Sequence, residues 1–291
     1  MDIKVGIIGA GRAGCALAIG LKAKGFDMGG VCSRSRESAA WLNKKLEMNL
    51  TNDLLQTVQN SNVIFISVQD GAIGETAKKA ASVCGGAVIK GKVFLHCSGS
   101  LASDELSPLA NEGGMTGSLH PVQTFADREN GWKGLDGIYF GFEGCNEAKR
   151  VSEEIVKAFG GNMIIVDKED KAVYHAAACV ISNYTVALSY MAGKLLGKTG
   201  IDERKGVEAL MPLLENTVRN IKLSGSEKAL TGPVSRGDYH TVGRHVDAIK
   251  VKAPEYLKVY EELGKLSVEL SLKRGSIDSG IAEKLLNKLG S

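Results

Sequence analysis

The sequence predicts a doubly wound, mostly parallel α/β sheet followed by an all-α domain. Three observations carry that expectation. A short β-branched run, Val5-Gly6-Ile7-Ile8, leads into the turn Gly9-Ala10-Gly11-Arg12-Ala13-Gly14. Strand-like and helix-like stretches then alternate to about residue 166, the order expected of a parallel sheet with crossover helices. Beyond it, helical patterns continue without a convincing strand.

The opening run is apolar, as in a strand buried on both faces. After it, Ala13, Leu17 and Leu21 fall on one helical stripe, and Gly25 stops the helix. Between them, Gly9 permits the tight bend, Gly11 lets a pyrophosphate approach the backbone, and Gly14 lets helix and strand pack closely. Unpaired N–H groups at the helix N-terminus would then hold the phosphates. Glycine is abundant, 36 of 291 residues, so the pattern draws its meaning from its place between strand and helix.

Further strands are expected over 27–33, 61–68, 92–97, 115–120, 138–142 and 162–166. Helices are expected over 37–47, over the alanine- and lysine-rich stretch ending at Cys84-Gly85-Gly86, and over 146–159. Residues 168–198 hold neither Pro nor a turn cluster, which predicts one long helix as the spine of a second domain. The expected division is therefore 1–166 and 167–291. In the second part, 202–221 reads as helix with a kink or break at Pro212, and 224–237 as loop. Asp238 can cap a helix to about Lys250, Pro254 can open the next, Gly275 can end it, and 278–289 is the last.

Apolar residues at 44%, charged residues at 24% and a net charge of +3 suit a soluble globular chain. With no Lys/Arg block, they argue against nucleic acid or a membrane surface as partner. The six cysteines (Cys15, Cys32, Cys84, Cys97, Cys145 and Cys179) are scattered, without a C-x-x-C pair. They are expected to be small core residues, not disulfides or zinc ligands. His240 and His245 do not share a helical face, and no other cluster has metal spacing, so no metal site is expected. No apolar run reaches the ~18–20 residues of a membrane span. Met1 leads almost directly into the first strand, without a signal peptide, and a cytoplasmic location is expected.

The second strand ends in Cys32-Ser33-Arg34-Ser35-Arg36, with no acid before Glu37. An acid there would hold a ribose 2′-hydroxyl and repel a 2′-phosphate, whereas two guanidinium groups and two hydroxyls suit the phosphate. The pattern points to NADP; the alternative is an exposed basic turn. Ser67-Val68-Gln69-Asp70, after the third strand, should line the cofactor ribose, or else form a plain turn with Asp70 as cap.

Ligands of open α/β sheets bind outside the carboxyl ends of the strands. Ser98 and Ser100, after His96-Cys97, can face the nicotinamide and a substrate carboxylate there, while His96 reads as a satisfied strand-end histidine. His120, held extended by Pro121, can supply a proton near neutral pH. His175 and Asn183 lie about two helical turns apart and can both face a cleft, a core-facing His175 being the alternative. In Thr231-Gly232-Pro233-Val234-Ser235-Arg236-Gly237-Asp238, Arg236 can clamp an acidic substrate, placed by Gly232, or pair with Asp238 to brace the turn. No G-x-S-x-G elbow accompanies the Ser/His pairs, which argues against a hydrolase.

These motifs, with Val68-Gln69-Asp70-x-x-Ile73, Leu119-His120-Pro121-Val122-Gln123-Thr124-Phe125, His175-Ala-Ala-Ala and Ser182-Asn183, resemble bacterial Rossmann-like proteins with a helical C-terminal domain of unknown function. That group is labelled as NADP oxidoreductases of the deazaflavin-dependent type. More distantly, the layout resembles the β-hydroxyacid dehydrogenase, ketopantoate reductase and pyrroline-carboxylate reductase superfamily. The resemblance implies a helical domain like the C-terminal one of 6-phosphogluconate dehydrogenase, a homodimer built through it, and Val68, Gln69 and Ile73 beside the cofactor. The hydroxyacid dehydrogenases place a Lys four residues before an Asn on the long helix; here Cys179 takes that place before Asn183. Cysteine cannot replace an ammonium as proton donor, so His120 or His175 must take the task.

The expected function is an NADP(H)-dependent oxidoreductase of a small, acidic carbonyl, imine or hydroxy compound. His120 or His175 would relay the proton, with Ser98, Asn183 and Arg236 orienting. The rival is a non-catalytic NADPH-binding sensor or regulator.

Overall fold

The computed structural model describes residues 2–50 and 52–290. Contacts divide the chain into two compact units, one ending at Ser182 and one beginning at Asn183.

In the first unit, β1 (Lys4–Ile8), β2 (Asp27–Cys32), β3 (Val63–Ile66), β4 (Val93–His96), β5 (Met115–Pro121), β6 (Tyr139–Gly144) and β7 (Asn162–Ile165) form one sheet, in the order β2-β1-β3-β4-β5-β6-β7. Pairing is parallel except between β5 and β6. The helices are α1 (Arg12–Ala23), α2 (Arg36–Lys45), α3 (Leu54–Gln59), α4 (Ile73–Ile89), α5 (Ser107–Asn111), α6 (Asn146–Ala158) and α7 (Lys171–Ile181). Strand residues alternate between two cores: Val5, Ile7, Phe65 and Leu95 join Leu17 and Leu21 of α1, while Ile8, Ile64, Ile66 and Phe94 join Ile73 and Ala77 of α4. The order reverses between β1 and β3, the switch point outside whose carboxyl ends open α/β sheets form their ligand crevice.

The glycine turn sits at that crevice. Gly9 has φ 106° and donates its N–H to Cys32 O at 2.7 Å, while Ser67 N–H reaches Ile8 O at 2.8 Å. A Cβ on Gly9 would collide with the Ser67 carbonyl, and one on Gly14 with the Gly9 carbonyl. Helix and strand can therefore approach only because both side chains are missing.

Two short helices were not expected. Asp53 caps α3 by accepting from Gln56 N–H at 2.8 Å, and α3 lies against β2 because Gly30 has no Cβ, which would stand 2.8 Å from Thr57 Cα. In α5, Pro108 occupies the first turn, where its missing N–H costs nothing. Helix α4 breaks at the expected stop, where Gly85 (φ 64°, ψ 167°) leaves helical geometry, and a further turn then runs to Ile89.

The division by contacts falls later than the expected 166/167, because α7 anchors Lys171 and Tyr174 on the strand ends of the first unit. The single spine helix over 168–198 is replaced by a 3₁₀ turn, Lys168–Asp170, then α7, then α8 (Asn183–Gly197). Ser182 separates the last two, its φ of −102° and ψ of −72° leaving the helical path.

The second unit contains α8, α9 (Glu203–Ala229), α10 (Tyr239–Lys252), α11 (Leu257–Arg274) and α12 (Ser279–Lys288), and no strand among the described residues. Asp202, Asp238 and Asp278 cap α9, α10 and α12, each accepting a backbone N–H of the first turn. Gly275, at φ 74°, ends α11. Helix α9 runs through Pro212 and on to Ala229, over part of the expected loop, with Gly225 at φ 75° marking a kink. Val242, Val268, Leu285 and Leu289 form the core. Among the described residues, no helix is long and apolar enough to cross a membrane.

We predict that Gly14→Ala lowers the urea midpoint by the equivalent of about 2 kcal/mol or more, since the Gly9 carbonyl cannot yield without moving α1. Gly11→Ala, whose Cβ would meet nothing within 4 Å, should change stability by about 1 kcal/mol or less.

Candidate active site

At the N-terminus of α1, Gly11 is extended (φ −77°, ψ −172°) and no side chain caps the helix. The open space beside Gly11 and the uncompeted first-turn N–H groups of Arg12, Ala13 and Gly14 fit a diphosphate. Beyond β2, Ser35 caps α2 through Ser38 N–H at 3.1 Å, and Asn52 Oδ1 accepts Ser33 N–H at 2.8 Å. These bonds shape a turn from which Arg34 and Arg36 stand exposed. Past β3, Val68 is half-buried and Gln69 exposed, whereas Ile73 is wholly buried in the core, supporting the turn from beneath.

A polar cluster occupies the ends of β4 and β5. Asp70 does not cap α4; it accepts the Ser98 hydroxyl proton at 2.8 Å. Ser98 Oγ in turn accepts Ser100 N–H at 3.2 Å and Leu101 N–H at 3.1 Å. Its hydroxyl is therefore committed to bracing the turn. His96 is buried, with Nδ1 accepting Ser98 N–H at 3.2 Å and Nε2 at 3.0 Å from Ala102 O, the satisfied strand-end histidine that its position suggests. Ser118 donates to Ser98 O at 2.9 Å.

Helix α7 lies over this cluster. Lys171, Tyr174, His175 and Ala178 share one face and are buried or half-buried, while Val173, Ala176 and Ala177 are exposed. Lys171 Nζ donates to Ser118 Oγ at 2.6 Å and to Ser98 O at 3.2 Å. Tyr174 Oη lies 3.0 Å from His120 Nδ1, and His120 and His175 meet edge-on with ring centroids 5.7 Å apart. Gly141, paired with His120 across the antiparallel β5–β6 ladder, leaves the space that the Tyr174 hydroxyl fills. Cys179 Sγ stands 4.0 Å from His175 Nε2.

Burial governs the charges. It lowers His96 to about 4, and with His175 and Lys171 it lowers His120 to about 4. His120 is thus neutral at pH 7 and a weaker base than a free imidazole. Burial also pulls the Lys171 ammonium down to about 8, against the attraction of Glu143 and Asp70. It raises the Tyr174 phenol, opposed by a backbone hydrogen bond from Gly141. The Cys15 and Cys97 thiols are pushed up to about 11 and about 12, chiefly by burial. No metal-binding group of His, Cys, Asp and Glu occurs among the described residues.

The first unit therefore gathers Asp70, Ser98, Ser118, His120, Lys171, Tyr174 and His175. Asn183, Gly232 and Arg236 belong to the second unit, where Arg236 is exposed in the turn before α10. Lys171 and Tyr174 were not among the residues the sequence singled out. Their spacing with His175 (i, i+3, i+4) is the signal that could have found them.

The fold is that of a Rossmann-like chain, and residues 1–121 match the Rossmann-like domain family. Residues 138–267 match the domain of unknown function DUF2520, so the chain carries a match to each of the two domains. Asp70, Ser98 and His120 thus come from the one match, and Lys171, Tyr174 and His175 from the other. A search of curated proteins finds no match.

Among solved structures, the chain is similar to a Bacteroides fragilis protein assigned as an NADP oxidoreductase, at 25% identity, 92% of this chain, 98% of that chain and a TM-score of 0.73. A Thermotoga maritima protein gives 26% identity, 93% and 99% coverage and a TM-score of 0.72. A reductive aminase from Aspergillus terreus in complex with NADPH and ethyl levulinate shares the fold at 18% identity, 98% and 99% coverage and a TM-score of 0.62.

Between their ordinary pKa of 6.5 and about 4, His96 and His120 take up protons in the unfolded chain but not in the folded one. Stability should therefore fall on acidification through that window, by about 1–3 kcal/mol per histidine. Urea midpoints from pH 7 to 4 should show it, and His120→Gln should make the dependence shallower.

Proposed function

We propose that the chain is an NADP(H)-dependent oxidoreductase acting on a small carbonyl, imine or hydroxy compound. The observation that carries this reading is the open space beside Gly11, at the same carboxyl-end side of the sheet as the cluster of Ser98, His120, Tyr174 and His175. When bound, the coenzyme supplies or receives a hydride. Arg34 and Arg36, with Ser33 and Ser35, select the 2′-phosphate, and Gly9 to Gly14 with Val68 and Gln69 hold the rest of the dinucleotide. That the substrate is acidic rests on the residue type of Arg236 alone.

Tyr174 and His120 form the proton path. With the His120 proton on Nε2, Nδ1 accepts the Tyr174 O–H across 3.0 Å; His120 passes the Nε2 proton to the substrate as Nδ1 takes the phenol proton, and the phenolate recovers a proton from water. His175, against the other side of His120, helps keep that imidazole neutral. The names of the Bacteroides fragilis protein and the Aspergillus terreus enzyme support a nicotinamide-dependent reaction here. A homodimer is proposed on the apolar residues exposed along α8 in the second unit, among them Tyr184, Val186, Leu188 and Tyr190. Sedimentation equilibrium returning the monomer mass would remove it.

Oxidation of NADPH should be screened against carbonyl and imine compounds. We expect turnover, NADPH preferred over NADH, and a preference lost in Arg34→Ser/Arg36→Ser as NADPH affinity falls by about tenfold or more. Tyr174→Phe should lower kcat by about a hundredfold and leave the NADPH Kd unchanged. Absence of turnover with every compound while NADPH binds would favour a non-catalytic coenzyme-binding protein.

A further inference from the structure

We infer that the Gly99 peptide N–H is a binding donor of this site for a carbonyl or carboxylate oxygen, and that Lys171 is the positioning residue that primes it. The inference rests on the coenzyme-site reading above and deepens it. Four successive N–H groups make up the turn after β4. Those of Ser98, Ser100 and Leu101 are bonded, to His96 Nδ1 and twice to Ser98 Oγ. The N–H of Gly99, a buried residue, has no partner among the described residues. A buried N–H left unpaired costs about 1–3 kcal/mol, and folded chains rarely carry one without a ligand or water to meet it.

The other end of that peptide is held by unusual means. Ser98 O accepts from the Lys171 ammonium at 3.2 Å and from the Ser118 hydroxyl at 2.9 Å. Lys171 also donates to Ser118 Oγ at 2.6 Å, which turns the Ser118 proton toward Ser98 O. A cation and a hydroxyl on one carbonyl oxygen draw electron density from the amide and strengthen its N–H as a donor. A buried ammonium is costly, and an apolar side chain would fill the same space more cheaply. Polarising this one peptide gives the charge at Lys171 a purpose.

The donor also stands where chemistry is expected. A Cβ on Gly99 would lie 2.7 Å from His175 Cδ2 and 2.9 Å from His120 Cε1, so the two imidazoles pack directly on its Cα. An oxygen held by Gly99 N–H would lie beside the Tyr174–His120 proton path. Two sources share this chemistry: the carboxamide of the nicotinamide and the carbonyl or carboxylate of the substrate.

The test is the Gly99 amide resonance of the ¹⁵N-labelled full chain, read with 2′,5′-ADP, NADP⁺, NADP⁺ plus oxamate, and oxamate alone. We expect Gly99 to move downfield with a probe that brings a C=O group, and not with 2′,5′-ADP, which should move the amides of the glycine turn and of the Ser33–Arg36 turn. Movement with NADP⁺ assigns the carboxamide; movement only after oxamate is added assigns the substrate oxygen. In Lys171→Met the movement should shrink, and Lys171→Arg should restore it, which a merely structural role would not produce. A Gly99 resonance still under every probe, while the amides of the glycine turn respond, overturns the proposal and leaves the coenzyme site standing. If those amides ignore the coenzyme, the function reading fails, and oxamate alone then decides: an unmoved Gly99 overturns the inference as well. These outcomes are read on the wild-type chain, so they hold even if Lys171→Met fails to fold.

Discussion

Backbone lying directly on backbone, at Gly9, Gly14 and Ser67, is the constraint on which the first unit depends. With no Cβ at Gly9 or Gly14, α1 descends onto the end of β1, and the Ser67 carbonyl closes the contact from β3. That approach lets Leu17 and Leu21 reach the core beside Val5 and Ile7. It also sets the N-terminus of α1 at the gap where the strand order reverses. Stability and the placing of the α1 N-terminus thus rest on the same two missing side chains, and neither can be altered without the other.

The neighbouring strand ends follow a different logic, in which burial sorts the charges. His96, His120 and Lys171 all lose solvent there, and each is pushed toward its neutral form. The ammonium starts from a much higher pKa and is attracted by Glu143 and Asp70, so it remains the cation at neutral pH. The imidazoles, close to neutrality at the outset and repelled by that cation, give up their protons. A single buried positive charge beneath two neutral rings and a phenol is the outcome. Such an arrangement can accept and pass a proton without holding a permanent charge at its surface.

Local signals were legible where they act within a few residues. The glycine turn, the Asp238 cap and the stop at Gly275 are short-range devices, and each lies where its residue type requires. The short helices α3 and α5 escaped because so few residues show no periodicity. Their existence depends on tertiary support such as the small face of β2 at Gly29 and Gly30. The interruption at Ser182 was hidden for the opposite reason: no Pro or Gly marks it, and helical spacing resumes directly after it. Lys171 was passed over because lysine is a surface residue almost everywhere, and nothing local announces a buried one.

By itself the sequence determined the alternating architecture, the helical second part, the absence of an acid after β2 and the presence of polar residues at the strand ends. These follow from periodicity, turn chemistry and residue type, all written in neighbouring positions. Only the tertiary structure decided which polar groups are spent on one another and which are left over. It assigned the Ser98 hydroxyl to Asp70, joined Tyr174 to His120, and set Lys171 under the Ser98 carbonyl. Those pairings join residues far apart in the chain, and they depend on the register of β5 against β6 and on where α7 lands. A hydrogen bond depends on tenths of an ångström, and no spacing along a chain can carry that information.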